Sequence, residues 1–231
     1  MKIAIVGCGF VGSVFTDEFL KRCFAGKLDV EFVFIDDDTV SQRNCANQNF
    51  DFMDMKKAKA NVLAARATRF DCLAEAVVKR LTLDNCDELL AGADLVIDGV
   101  DNLETRQLLY GHALVTKVPV LHVGISPLAT GVVEWTYPGH ETFSLRPSQT
   151  AGREIKDPES GVTPPCELAR MRGVGLNVGF AAACAASIYC GFDAEGHLDG
   201  KEAQGALTEW QATASGFYPQ KETWENVLER S

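Results

Sequence analysis

The sequence predicts an α/β domain: a doubly wound, mostly parallel sheet covered by helices on both faces, with an added antiparallel extension. Three observations predict it. Short apolar runs alternate with helical patterns through the first half of the chain. The first run is followed by Gly7, Gly9 and Gly12, spaced G-x-G-x-x-G. The second run, about twenty residues further on, ends in an acid, Asp36.

Ile3 to Val6 has the unbroken apolar character of a strand buried on both faces. A helix opens at about Val11 and carries Val14, Phe15, Phe19 and Leu20 on one face. Gly7 permits the tight turn, Gly9 lets the backbone approach a phosphate, and Gly12 lets the helix pack on the strand. Exposed N–H groups and the positive helix end then favour an anion, by roughly 0.3–2 kcal/mol for the dipole alone. The unit reads as a Rossmann-like nucleotide turn, with Asp36 placed for a ribose hydroxyl.

Glu31 to Ile35 is the second strand, closed by Asp36, Asp37 and Asp38. Residues 41–49 read as a polar loop, because Asn and Gln favour turns and local side-chain hydrogen bonds. Lys56 to Arg69 is an alanine-rich helix with Val62 and Leu63 inward. Val77 to Leu81 reads as a third strand, and a short helix over Asp87 to Leu90 stops at Gly92. Asp94 to Val100 is a fourth strand, closed by Asp101. A helix from Leu103 to Val115 packs through Leu108, Leu109 and Leu114, and Val118 to Val123 is the next strand. Right-handed crossovers place Gly7, Asp36 and Asp101 along one sheet edge, where ligands bind in open α/β sheets.

Gly131 to Tyr137 adds an antiparallel strand. Residues 147–165, interrupted by Gly and Pro, read as a mobile crossover loop. Cys166 to Tyr189 is a small-residue helix that packs closely on the sheet or on a second subunit. The nucleotide-binding domain therefore covers residues 1–190. From Gly191 onward the chain reads as a weakly structured tail with an amphipathic end, Trp224 to Leu228.

A net charge of −10 argues against general nucleic-acid or anionic-membrane binding. No secretory core and no membrane-length apolar run is evident, so the expected location is cytoplasmic. The eight cysteines include no C-x-x-C pair, which suits buried thiols with one reactive member better than a disulfide framework or a zinc site. The four histidines are dispersed and suggest neither a triad nor a metal cluster; only His122 falls near the ligand edge.

Asp36, Asp38 and Val40, then Asn44 and Gln48, then Lys59-Ala60, then Asp101-Asn102 with Arg106 form an ordered series. With the stretch LVIDGVDNLETRQLL, this series resembles the ThiF/MoeB/HesA family, bacterial relatives of ubiquitin-activating enzymes. The resemblance implies ATP-dependent adenylylation of a carboxylate by a homodimer. Its substrate would be the C-terminus of a ubiquitin-like or sulfur-carrier protein ending in Gly-Gly, or a small peptide carboxylate. It places Mg²⁺ on Asp101, the phosphates on Lys59 and the ribose on Asp36. Asp38, Asn44, Gln48 and Asn102 would line the nucleotide, and Arg106 would orient the site.

Plainer readings stand beside these. Asp36 and Asp101 also fit as helix or turn caps, and Lys56 or Lys57 fits the place given to Lys59. Cys166, at an expected helix start, fits either a thiol that takes the activated carboxylate or a buried structural cysteine. Cys8 reads as a small residue that fits the turn.

The sequence also departs from the family pattern. The loop arginine falls at Asn47, leaving Arg43 as the candidate substitute. The chain begins at the first strand, without the family's N-terminal helix. The first zinc cysteines would fall near Glu141 and Ser144, so no zinc is expected. Two further readings follow: a catalytically weak nucleotide- or partner-binding module, and an NAD-dependent oxidoreductase. The latter lacks an evident Tyr-Lys or His-Asp arrangement.

Overall fold

Lys2–Val6 (β1) and Glu31–Ile35 (β2) pair in parallel, with Phe10–Gly26 (α1) crossing between them. The chain continues through Gln42–Asn47 (α2), a 3₁₀ turn at Phe52–Asp54, Lys59–Arg69 (α3) and Leu73–Val77 (β3). Cys86–Leu89 (α4), Leu95–Asp98 (β4), Leu103–Thr116 (α5), Val120–Ile125 (β5) and Thr130–Thr136 (β6) follow. Pro165–Tyr189 (α6), Trp210–Thr213 (β7) and Gly216–Pro219 (β8) complete the order. This computed structural model describes residues 1–125, 130–136, 165–190, 210–213 and 216–219.

One 8-stranded sheet results, in the order β3-β2-β1-β4-β5-β6-β7-β8. The pairs from β3 to β5 are parallel and those from β5 to β8 antiparallel. The expected Rossmann-like sheet with its antiparallel extension is therefore present. Side-chain alternation splits the core in two. Ile3, Ile5, Leu95, Ile97, Leu121 and Val123 face α1, α3 and α6, whereas Ala4, Val6, Ile35, Val96 and Val120 face α4 and α5. Phe15, Phe19, Phe32 and Phe34 are fully buried; each contributes roughly 1.5–3 kcal/mol of burial.

Several local expectations change. Residues 41–49 contain a helix, because Ser41 caps α2 and forms a reciprocal box with Asn44, offsetting the weak propensity of QRNCAN. The third strand lies at Leu73–Val77 rather than Val77 to Leu81; it is an edge strand with Leu73 exposed, so its apolar signal is diluted. Leu81 is buried in the α4–α5 core instead. On α5, Leu109 is buried, but Leu114 is 41% exposed and lies off the packing face. The tail contributes β7 and β8, which continue pairing from the edge of β6. The loop at 147–164 and the stretch Trp224 to Leu228 lie outside the described residues. Among the described residues, no helix is long and apolar enough to cross a membrane.

The small residues of α6 permit close approach to α1. A Cβ at Gly179 would lie 2.5 Å from Val14 Cγ1 and 3.1 Å from the Phe15 amide nitrogen. Gly179→Val should therefore cost about 1–3 kcal/mol by overpacking. Gly111→Ala, in α5 with nothing within 4 Å of the added carbon, should be neutral or stabilise by up to ~1 kcal/mol. Urea denaturation of the two variants checks both.

Candidate functional site

The β1–α1 turn is set by backbone approach. Gly7 sits at φ 87° and its N–H donates to Ile35 O at 3.0 Å. A Cβ there would lie 2.8 Å from the Gly99 carbonyl carbon and the Val100 nitrogen, and one at Gly12 would overlap the Gly7 oxygen. Gly9 is the N-cap of α1 and supplies no side-chain bond; no acid occupies the first turn. The leading N–H groups of this 17-residue helix thus remain open to an anion. Above Gly9, the position of a Cβ would meet only Gln48 Nε2, at 3.9 Å.

Asp36 ties this turn to the end of β2. One carboxylate oxygen accepts the Cys8 N–H at 2.6 Å and the other the Asp38 N–H at 2.8 Å. Burial pushes its pKa up, opposed by the Asp38 N–H, the Lys59 charge and the Cys8 N–H. Cys8 is fully buried, and burial raises its thiol pKa well above the ordinary range, so it fills space rather than reacts. Asp38 pairs with Lys59 Nζ at 2.7 Å, and the Lys59 N–H donates to Asp38 O at 3.0 Å. Of the three neighbouring lysines only Lys59 is buried; Lys57 is exposed and pairs with Asp54 at 3.5 Å, and Lys56 is exposed. On the other side of the glycine turn Asp101 is exposed. No hydrogen bond or ion pair engages its carboxylate among the described residues. Asn102 caps α5 by accepting the Thr105 N–H at 2.9 Å. Arg106 donates through Nε and Nη2 to Val100 O, at 3.1 and 2.6 Å, and clamps the turn that carries Asp101.

On α2 the side-chain oxygen of Asn44, Oδ1, accepts from the N–H and the hydroxyl of Ser41. Asn47 Oδ1 and Gln48 Oε1 are buried without a hydrogen-bond partner among the described residues. Arg43 is exposed on α2. Cys166 lies in the first turn of α6, and its side chain is outside the described residues. Gln48 also borders an open cleft of about 470 Å³ lined by Asp17, Asn49, Phe50, Arg66 and Arg69. Arg66 is the hub of that cleft, bonded to Asp17 at 3.0 Å and Asp54 at 3.1 Å.

Two groupings escape the sequence reading. His122 Nδ1 meets Asp98 Oδ2 at 2.7 Å, so a His-Asp pair does exist, but both side chains are only 2% exposed and cannot meet a substrate. Asp98 shares D-x-x-D spacing with Asp101, which is the signal that points to it. Cys86, Asp87 and His112 also converge, with ligand atoms within 4.8 Å; their wide separation in the chain hides this.

A model of the ThiF family matches residues 1–191. The SAMP-activating enzyme E1 of Haloferax volcanii is 28% identical over 178 residues, covering 75% of this chain and 60% of that protein. The sulfur carrier protein ThiS adenylyltransferase of Bacillus subtilis is 28% identical over 126 residues, or 52% of this chain and 36% of that one. The chain thus spans 60% or less of the length of these relatives. Among solved structures, E. coli MccB crystallised with AMPCPP and MccA superposes with a TM-score of 0.68 at 16% identity, covering 95% of this chain and 63% of that one. That likeness is one of fold.

The raised pKa of Asp36 has a sign. Its contribution to stability is fully present below its ordinary value of 3.8 and is lost as pH rises through the higher folded value. The stability of the parent relative to Asp36→Asn should therefore fall as pH rises from about 3.8, as denaturant titrations across the acid range would register.

Proposed function

The chain belongs to the ThiF family, and on that premise we propose that it binds ATP over the glycine turn and adenylylates a carboxylate. The carboxylate is that of a ubiquitin-like or sulfur-carrier protein tail, a reading supported by the relative named as the adenylyltransferase of the sulfur carrier protein ThiS. The observation that carries this reading is the uncapped start of α1 behind Gly7 and Gly9, flanked by buried Lys59 and by exposed Asp101, unpaired among the described residues. Open N–H groups, a buried cation and an exposed carboxylate are the donor set a nucleotide and its divalent metal require.

In the reaction a carboxylate oxygen forms a bond to the α-phosphorus. The bond from that phosphorus to the bridging oxygen of the β-phosphate breaks, and pyrophosphate leaves with the electron pair. Both reactants are anionic, so positive charge must surround the reacting atoms. Lys59 delivers its ammonium there, held in place by Asp38 at 2.7 Å. Asp36 orients the ribose while keeping the glycine turn on β2 through the Cys8 N–H. Gln48, with a buried oxygen that lacks a partner among the described residues, offers its amide to the nucleotide. Mg²⁺, held by Asp101, would supply charge compensation at the phosphate oxygens.

ATP–pyrophosphate exchange with a candidate carrier tests the reading. Asp101→Ala and Lys59→Met should each lower exchange by about 10²–10³-fold. Exchange unaffected by both, or no binding of ATP–Mg²⁺ by calorimetry, overturns it. A separate prediction concerns α2. Asn47→Arg should raise the exchange rate at least about tenfold, since an arginine at a phosphoryl group is worth ~10³–10⁵ elsewhere.

A further inference from the structure

Three strands carry an unusual row across the α5 face of the sheet. Asp98 on β4 is in register with His122 on β5, and His122 with Glu134 on β6. All three are buried polar residues, at 1%, 1% and 4% exposure. The site as described makes no use of His122, and burial keeps it away from any substrate. Its Nδ1 meets the Asp98 carboxylate, and the other ring nitrogen, Nε2, is buried without a hydrogen-bond partner among the described residues.

What Asp98 does with its second oxygen gives the row its consequence. Oδ1 accepts the Val100 N–H at 3.1 Å. Val100 is the residue before Asp101, and its carbonyl oxygen is the one held by Arg106. Gly99, just before it, donates its N–H to Val6 O at 2.9 Å. The β4–α5 turn is thus fixed by the sheet at Gly99, by a carboxylate at the Val100 N–H, and by a guanidinium at the Val100 carbonyl. Of these restraints, the carboxylate is the one whose orientation depends on another side chain. A carboxylate rotates about its last torsion with a broad profile. Its plane is fixed here because the His122 ring holds Oδ2 while Oδ1 meets the Val100 N–H.

We infer that His122 is a positioning residue: through Asp98 it fixes the peptide at Val100 and so presents Asp101 to the metal and nucleotide. The inference rests on the role proposed above for Asp101, but its structural half concerns Val100 alone. A partner hydrogen-bonded to a metal ligand commonly changes metal affinity or activity by roughly 10–100-fold without touching the metal, and His122 acts one step further back, through Asp98 and the Val100 peptide. The competing account is a buried pair that merely holds β4 to β5. That account predicts a uniform loss of stability across both strands, with no effect special to the turn.

Two variants separate these. His122→Leu keeps an apolar bulk and removes the donor; His122→Asn keeps an N–H near the position of Nδ1. Amide hydrogen exchange on the ¹⁵N-labelled full chain gives the first readout. In His122→Leu the Val100 amide should lose at least about tenfold protection beyond any change at Ile97 and Leu121, and His122→Asn should restore most of it. Mg²⁺ dependence of pyrophosphate exchange gives the second. Half-saturation should rise roughly 10–100-fold in His122→Leu, with the rate at saturating Mg²⁺ changed much less. Val100 protection that follows the strand amides in His122→Leu overturns the inference, as does an unchanged Mg²⁺ half-saturation in an active parent. An inactive parent with the Val100 effect intact counts against the adenylylation reading and leaves the Asp98–His122 hold on the turn supported.

Discussion

The carbonyl oxygen of Gly7 lies where three pieces of backbone meet. A Cβ at Gly12 would overlap it, and one at Gly99 would sit 2.8 Å from it. Two side-chain-free positions on two different elements therefore let α1 and the β4–α5 turn close on the first turn together. Without that approach the open start of α1 and the turn bearing Asp101 would stand apart by at least the width of a methyl group. The site is assembled by removing side chains first and placing them second.

Around that contact most polar groups are engaged with protein. Asp36 takes two backbone N–H groups, Asp38 holds Lys59, Asn44 closes the box with the Ser41 cap, Asn102 caps α5, and Arg106 clamps a carbonyl. Such engagement reduces the reorganisation a ligand must impose, because charges already stand in fixed directions. What is left without a protein partner among the described residues is a complementary set: helix N–H groups, an exposed carboxylate at Asp101 and the buried amide oxygens of Asn47 and Gln48. An anion and a cation can enter together where neither alone would be balanced.

Much of this was legible in the chain. The buried strands Ile3–Val6 and Glu31–Ile35 announce themselves because a strand covered on both faces needs continuous apolar residues. The glycine spacing reports backbone approach, which no other residue permits. The rest was hidden for identifiable reasons. Leu73–Val77 is an edge strand with no fully buried position, so the apolar pattern pointed toward Val77 to Leu81 instead. The helix at Gln42–Asn47 depends on one reciprocal cap between Ser41 and Asn44, a local bond that outweighs propensity. β7 and β8 exist by pairing onto β6, across a sequence separation that local patterns do not report. The Asp98–His122 bond spans 24 residues and two strands, and strand register, not spacing, brings the pair together.

For the proposed reaction, a protein with a net charge of −10 must still attract a triphosphate and a carboxylate. Distance decides the matter. At physiological ionic strength exposed charges are screened beyond about 8 Å, so most of the surface acids are weakly felt at the glycine turn. Burial works the other way: Lys59, at 5% exposure, acts through protein rather than through bulk water. The same reasoning ranks positions on α2. Arg43 and Asn47 are four apart and share a face, but Arg43 is exposed whereas Asn47 is half-buried with its amide oxygen sealed from solvent. A cation at 43 is therefore blunted by water and salt, while one at 47 would act from a less screened place. The neutral residue occupies the position where charge would count for more, so for the proposed adenylylation residue 47 is the place on α2 where a cation would gain most.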